Sequence, residues 1–96
     1  MKPSAILINT ARGGVVNEAD AVAAINKQTI AALSFDVLVQ EPPQADSPLL
    51  KIANKSNVII TPHIAWASEQ SMQALSDILS SNVEAFLLGS PVNLVT

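Results

Sequence analysis

Ala5-Ile6-Leu7-Ile8-Asn9-Thr10-Ala11-Arg12-Gly13-Gly14 joins an unbroken apolar run to the only arginine of the chain and a glycine pair. Two further stretches share the design. Leu33-Ser34-Phe35-Asp36-Val37-Leu38-Val39 leads into Glu41-Pro42-Pro43, and Asn57-Val58-Ile59-Ile60 leads into Thr61-Pro62-His63, which carries the only histidine. Apolar runs of about four to eight residues bounded by Gly or Pro predict strands buried on both faces, as in parallel sheets covered by helices. Parallel strands share one carboxyl edge, and open α/β sheets receive ligands there. Arg12, Asp36 or Glu41, and His63 are therefore expected to meet in one crevice.

Between the first two runs, Asn17 is placed to cap a helix over Glu18 to Asn26, with Asp20 in the first turn and Ala21, Val22 and Ile25 on one face. This is the crossover helix that two parallel neighbouring strands require. Gln40 to Pro48, rich in Pro and acids, reads as a loop, and Leu49 to Ala53 as one helical turn. From Ser68 onward, Met72, Leu75, Ile78, Leu79, Val83, Phe86 and Leu87 keep a helical period, with Ser68 as cap and Gly89 and Pro91 as stop. A helix from Ser68 to Leu88 is about 31 Å long at its rise per residue. That is long for so small a chain, so its far end is expected to pack on another domain or chain, its apolar stripe forming core. Gly13-Gly14 lacks the spacing of a phosphate-binding loop and is read as a turn requiring positive φ. The expected architecture is α/β: a parallel sheet of about three strands, a crossover helix and a long carboxyl-terminal helix.

Ninety-six residues make one domain at most. Hydrophobic residues are 49% and charged residues 14%, against about 25% charged in ordinary soluble domains, so part of the surface is expected to be covered. A net charge of −3 without any Lys/Arg cluster argues against nucleic acid as a partner. With no cysteine and one histidine there is no disulfide framework and no thiolate or histidine-cluster metal site. No stretch of some 18 apolar residues occurs, Met1-Lys2-Pro3 opens no leader pattern, and Glu69 to Leu88 carries no Lys or Arg for a membrane surface. The expectation is a cytoplasmic protein without a membrane partner.

The three candidate site residues suit one chemistry. A guanidinium holds a carboxylate in two parallel hydrogen bonds. An imidazole near neutrality donates a proton to a carbonyl oxygen in reduction and accepts one in oxidation. Glu41, if hydrogen-bonded to the other ring nitrogen, favours the imidazolium and orients it. Asp36, inside an apolar run, needs partners to be buried. A lone histidine after a proline is more often an ordinary loop residue, but its place at one of three matching strand ends favours a site.

Ile8-Asn9-Thr10-Ala11-Arg12-Gly13-Gly14-Val15-Val16-Asn17-Glu18, then Phe35-Asp36-Val37-Leu38 with Glu41-Pro42, then Thr61-Pro62-His63-Ile64-Ala65 resemble, block by block and in order, the D-isomer-specific 2-hydroxyacid dehydrogenases. Glu41-Pro42-Pro43, Ala45-Asp46, Pro48-Leu49-Leu50 and His63-Ile64-Ala65-Trp66-Ala67-Ser68 look most like the glycerate dehydrogenase or hydroxypyruvate reductase branch. The resemblance implies a partial Rossmann-like sheet, with residues 1–96 as the carboxyl-terminal portion of a dinucleotide-binding domain. The family's G-x-G-x-x-G and its separate substrate domain are not in this sequence. It further implies NAD or NADP, met at its nicotinamide end only, and a small 2-oxo or 2-hydroxy acid as substrate. Arg12, Glu41 and His63 take the catalytic roles; Thr10, Ala11, Arg12, Asp36, His63 and Ala65 line the nicotinamide, with Asp36 bonding its carboxamide. Trp66 matches an aromatic of the substrate pocket or the subunit interface. Ala32-Leu33-Ser34 departs from the small residues and Gly usual in the family. Two expectations stay open: a fragment of an oxidoreductase, inactive in isolation, or a non-catalytic α/β module that persists as a homo-oligomer or binds a partner through its open sheet edge.

Overall fold

The computed structural model describes residues 1–95. They form β1 (Ile6–Asn9), α1 (Glu18–Asn26), β2 (Ala32–Phe35), a single 3-10 turn at Leu50–Ile52, β3 (Val58–Ile60) and α2 (Glu69–Leu87). Two compact units divide the chain, Met1–Ala65 and Trp66–Thr96.

In the first unit the strands form one parallel sheet in the order β1-β2-β3, an α/β arrangement of the Rossmann type. Leu7 pairs with Leu33, and Leu33 with Val58; Asn9 pairs with Phe35, and Phe35 with Ile60. This row points to the core, where Ala21 and Ile25 of α1, Ile30, Leu38, Leu49 and Ile52 close over it. Leu33, Phe35, Val37 and Leu49 are the largest fully buried side chains, and truncating such a phenylalanine to alanine costs about 3–5 kcal/mol.

The other face differs from expectation. Ile6, Ile8 and Ile59 are 61%, 62% and 60% exposed, and they share that face with half-buried Ala32 and Ser34. The apolar runs are continuous, but the helical elements of this unit pack on one side only, so the strands are buried on one face and not on both.

β2 also ends earlier than its apolar run. The strand stops at Phe35, and Asp36 to Val39 leave the ladder. Asp36 keeps backbone bonds, to the Asn9 carbonyl and from the His63 amide, while the amides of Leu38 and Val39 find side-chain partners instead. The Leu38 amide donates to Glu41 Oε1 at 2.7 Å and the Val39 amide to Glu18 Oε1 at 2.7 Å. Leu38 is buried and its amide must be paired with something; Val39 is exposed, and its bond to Glu18 ties the segment to the start of α1.

Asn17 caps α1 by accepting from the Asp20 amide at 3.1 Å. The helix closes through bonds from Gln28 N to Ile25 O and Thr29 N to Ala24 O, with Gln28 at φ 55°. In the second unit Ser68 caps α2 by accepting from the Ser71 amide at 3.1 Å. Its stop is the same motif: Gly89 at φ 73°, Gly89 N to Phe86 O and Ser90 N to Ala85 O. α2 is 19 residues long, about 28 Å, and none of its residues is buried. The stripe read as core is thus exposed in this structure.

Candidate active site

Asn9, Phe35 and Ile60 are aligned across the sheet, so the segments that follow them leave from one edge. The first is held by Asn9, a residue 4% exposed. Its Nδ2 donates to the Arg12 carbonyl at 3.1 Å and its Oδ1 accepts from the Ala11 amide at 3.2 Å. This closes a tight loop that presents Thr10, Ala11 and Arg12, all exposed, at the edge. Arg12 Nη1 donates to the Ala11 carbonyl at 2.8 Å. A guanidinium has five N–H donors, so most of the fork stays available to a ligand.

Of the two glycines read as a positive-φ turn, only Gly14 has that conformation, at φ 84°. Gly13 is required for another reason: a Cβ there would overlap the Leu38 carbonyl. That contact lays the Arg12 loop against the Leu38 segment, whose amide Glu41 holds.

The second and third segments are tied together by Asp36, also 4% exposed. Its Oδ1 accepts from Thr61 Oγ1 at 2.5 Å and the Ile64 amide at 2.9 Å, and its Oδ2 from the Ala65 amide at 2.9 Å. Its carbonyl accepts from the His63 amide at 2.9 Å. Burial alone raises the Asp36 carboxyl, but the hydrogen bonds from Thr61, Ala65 and Ile64, with the nearby His63, outweigh it, and the group lies below the usual carboxylate range. The loop so held carries His63 at φ 56°, a region that costs a non-glycine residue energy and persists only where the surroundings impose it.

His63 Nδ1 lies 2.7 Å from Glu41 Oε2. Glu41 is therefore clamped at both oxygens, by the Leu38 amide and by the imidazole. The Leu38 hydrogen bond, then the one from His63, holds its carboxyl below the ordinary value. An ionised Glu41 fixes the ring: Nδ1 carries a proton toward the carboxylate, which directs Nε2 to outside chemistry. Asp36, Glu41, Thr61 and His63 line one cleft of about 360 Å³ together with Leu38, Leu50, Ile60 and three prolines, Pro42, Pro43 and Pro62.

The structure thus brings together Asp36, Glu41 and His63. It places Thr10, Ala11 and Arg12 at the same edge on a separate loop, and Ala65 where its amide meets Asp36. Trp66 is half-exposed and opens the second unit. The sequence reading passed over three residues. Asn9 and Thr61 had a legible signal, a polar residue closing an apolar run. Glu18 had none, because an acid in the first turn of a helix is already accounted for by the helix dipole. Among the described residues no group of His, Cys, Asp and Glu could hold a metal ion.

Residues 1–65 match the family model described as D-isomer specific 2-hydroxyacid dehydrogenase, NAD binding domain. The chain is 55% identical over 95 residues to a glycerate dehydrogenase of Methylorubrum extorquens, covering 99% of this chain and 30% of that protein. It is 46% identical to a hydroxypyruvate reductase of Blautia hydrogenotrophica, covering 99% of this chain and 29% of the relative. Among solved structures, an acyclic imino acid reductase in complex with NADPH and D-Arg superimposes with a TM-score of 0.85 at 31% identity, covering 100% of this chain and 29% of that one. The chain spans under a third of the length of each of these proteins.

Proposed function

The chain belongs to the D-isomer-specific 2-hydroxyacid dehydrogenases, and on that premise we propose that it supplies the substrate-activating edge of a glycerate dehydrogenase or hydroxypyruvate reductase. The reaction is the interconversion of a small 2-oxo acid and its 2-hydroxy acid with NAD or NADP. The observation that carries this reading is the His63 Nδ1–Glu41 Oε2 contact of 2.7 Å, with the second Glu41 oxygen held by the Leu38 amide. It is a proton donor and acceptor fixed in orientation at the sheet edge from which the Arg12 loop also leaves.

The residues present fit the nicotinamide end of the cofactor. Asp36 Oδ2 accepts one bond, from Ala65, and a carboxylate oxygen has capacity for a second, which suits a carboxamide donor. Thr10, Ala11, Arg12, His63 and Ala65 border the same edge. When bound, the nicotinamide supplies or takes up the hydride at the substrate's second carbon. Arg12 binds the substrate carboxylate and fixes which face is presented. His63 donates the Nε2 proton to the carbonyl oxygen in reduction and accepts the hydroxyl proton in oxidation. Glu41 keeps the Nδ1 proton in place through both directions and stabilises the imidazolium. Among the described residues no helix is long and apolar enough to cross a membrane, and a cytoplasmic setting is part of the proposal.

A chimera tests it: residues 1–95 replace the matching segment of the Methylorubrum extorquens enzyme. The chimera is expected to reduce hydroxypyruvate. His63→Ala is expected to lower kcat by about 10²–10⁴-fold, the size of a general acid contribution. Arg12→Ala is expected to raise KM and lower kcat together, by roughly 2–5 kcal/mol in kcat/KM for a desolvated charge pair. A His63→Ala chimera with full turnover overturns the assignment.

A further inference from the structure

A carboxylate on a short side chain can swivel, because the torsion that turns its two oxygens is broad and roughly two-fold. In Asp36 that freedom is removed by three donors: Thr61 Oγ1 at 2.5 Å and the Ile64 amide at 2.9 Å on Oδ1, and the Ala65 amide at 2.9 Å on Oδ2. The three are not equivalent. Ile64 and Ala65 lie beyond β3, in the loop that carries His63. Thr61 directly follows β3 and still belongs to the ladder, since its amide donates to the Phe35 carbonyl at 3.0 Å, and the Asp36 amide donates to the Asn9 carbonyl at 2.9 Å. Donor and acceptor are therefore each fixed at the backbone by a neighbouring strand. A β-branched side chain adds little freedom of its own, and a hydroxyl–carboxylate bond this short is charge-assisted. With Thr61 and Ile64 both on Oδ1, the open acceptor position of the carboxylate falls on Oδ2.

From this we propose that Thr61 is a positioning residue, whose hydroxyl aims Asp36 so that Oδ2 receives the carboxamide N–H of the nicotinamide. The inference rests on the reading of Asp36 as the acceptor for that carboxamide, and it adds the residue that gives the acceptor its direction. Thr61 acts through Asp36 and not on the reacting atoms. The two loop amides do not supply the same reference, because the loop they belong to is itself held by Asp36. What Thr61 governs is discrimination: a pyridine ring that carries an N–H donor is preferred to one that carries only an acceptor.

The chimera tests this in D-glycerate oxidation with NAD and with acetylpyridine adenine dinucleotide, in which an acetyl group replaces the carboxamide and offers no N–H. The readout is the ratio of kcat/KM for the two cofactors, because their different redox potentials cancel when variants are compared. Thr61→Val keeps the shape and removes the donor, and the preference for NAD is expected to fall about tenfold, the size of one hydrogen bond to a charged group. Thr61→Ser keeps the hydroxyl and is expected to retain the ratio of the unaltered chimera. A merely structural loss lowers both cofactors alike and leaves the ratio where it was. An unchanged ratio in Thr61→Val overturns the proposal, as does a Thr61→Ser variant that loses the preference equally. Asp36→Asn separates the proposal from its premise. If its ratio is unchanged, Asp36 does not receive the carboxamide and both readings fall; if its ratio falls and that of Thr61→Val does not, the positioning role alone falls. Where Thr61→Val does not fold, the Thr61 hydroxyl proton of the unaltered 96-residue chain decides. Held on Asp36, it is expected to exchange slowly enough at neutral pH to give a nuclear Overhauser contact to the Ile64 amide, and absence of that contact overturns the proposal.

Discussion

Asp36 anchors the histidine loop through three side-chain and backbone donors, and ionisation is what lets it accept all of them. Its folded carboxyl titrates below the ordinary value of about 3.9. A carboxyl depressed on folding contributes stability that is present above its unfolded value and is lost as pH falls through the folded one. The chain is therefore expected to lose stability below about pH 4, and Glu41, shifted in the same direction, adds to the loss. In Asp36→Asn the amide turns a donor toward the Ile64 or Ala65 N–H, so the variant is less stable at pH 7. The gap should narrow as pH falls below 4. Urea midpoints at pH 3, 5 and 7 check this; a gap independent of pH shows that the charge does not hold the loop. Gly13→Ala is expected to cost roughly 1–3 kcal/mol, the range of overpacking, because the new Cβ meets the Leu38 carbonyl backbone and not a flexible side chain. In the chimera, Glu41→Gln is expected to lower kcat, since a neutral amide no longer fixes the Nδ1 proton through a charge-assisted hydrogen bond. An unchanged kcat separates the two groups.

At the level of elements, the two helices end in one motif built from different residues. Gly89 occupies the left-handed position of α2 at little cost, whereas Gln28 occupies that of α1 with a side chain. Gln28→Gly is expected to raise stability by roughly 0.5–1 kcal/mol, and Gly89→Ala to lower it by about as much. Thermal melts of both variants measure the pair, and equal signs would contradict the motif. The contrast shows what was legible. Asn17, Ser68 and Gly89 announce helix ends because capping is chemistry within a turn, and the helix bounds expected from them are met within one residue. Gln28 announces nothing, since its φ is imposed by the closing bonds around it. The end of β2 was likewise hidden: Val37, Leu38 and Val39 continue the apolar run, and the carboxylates that draw their amides away lie at Glu41 and, 21 residues back from Val39, at Glu18.

For the molecule as a whole, parallel order and a shared carboxyl edge followed from three similar runs, each closed by a polar residue or a proline. Which face of those runs is covered did not, because Ile8 and Leu7 look alike until a helix chooses between them. The sites divide in the same way. His63 and Glu41 could be paired by their chemistry, but Asn9 as the tie of the Arg12 loop depends on contacts that only the closed turn creates. The 96-residue chain carries no G-x-G-x-x-G to cradle a pyrophosphate, so by itself it is expected to bind NADH weakly and to reduce neither hydroxypyruvate nor glyoxylate. Saturable micromolar binding by calorimetry, or turnover, would contradict that. The knot at Asp36 also sets an order of loosening that a solvent-exchange clock can read. The Ile64 and Ala65 amides answer to one carboxylate, so their hydrogens should trade with deuterium at a common rate and accelerate together as that carboxylate is neutralised. The His63 amide, one residue earlier, leans on the Asp36 carbonyl, which has no proton to gain, and should keep its own slower time.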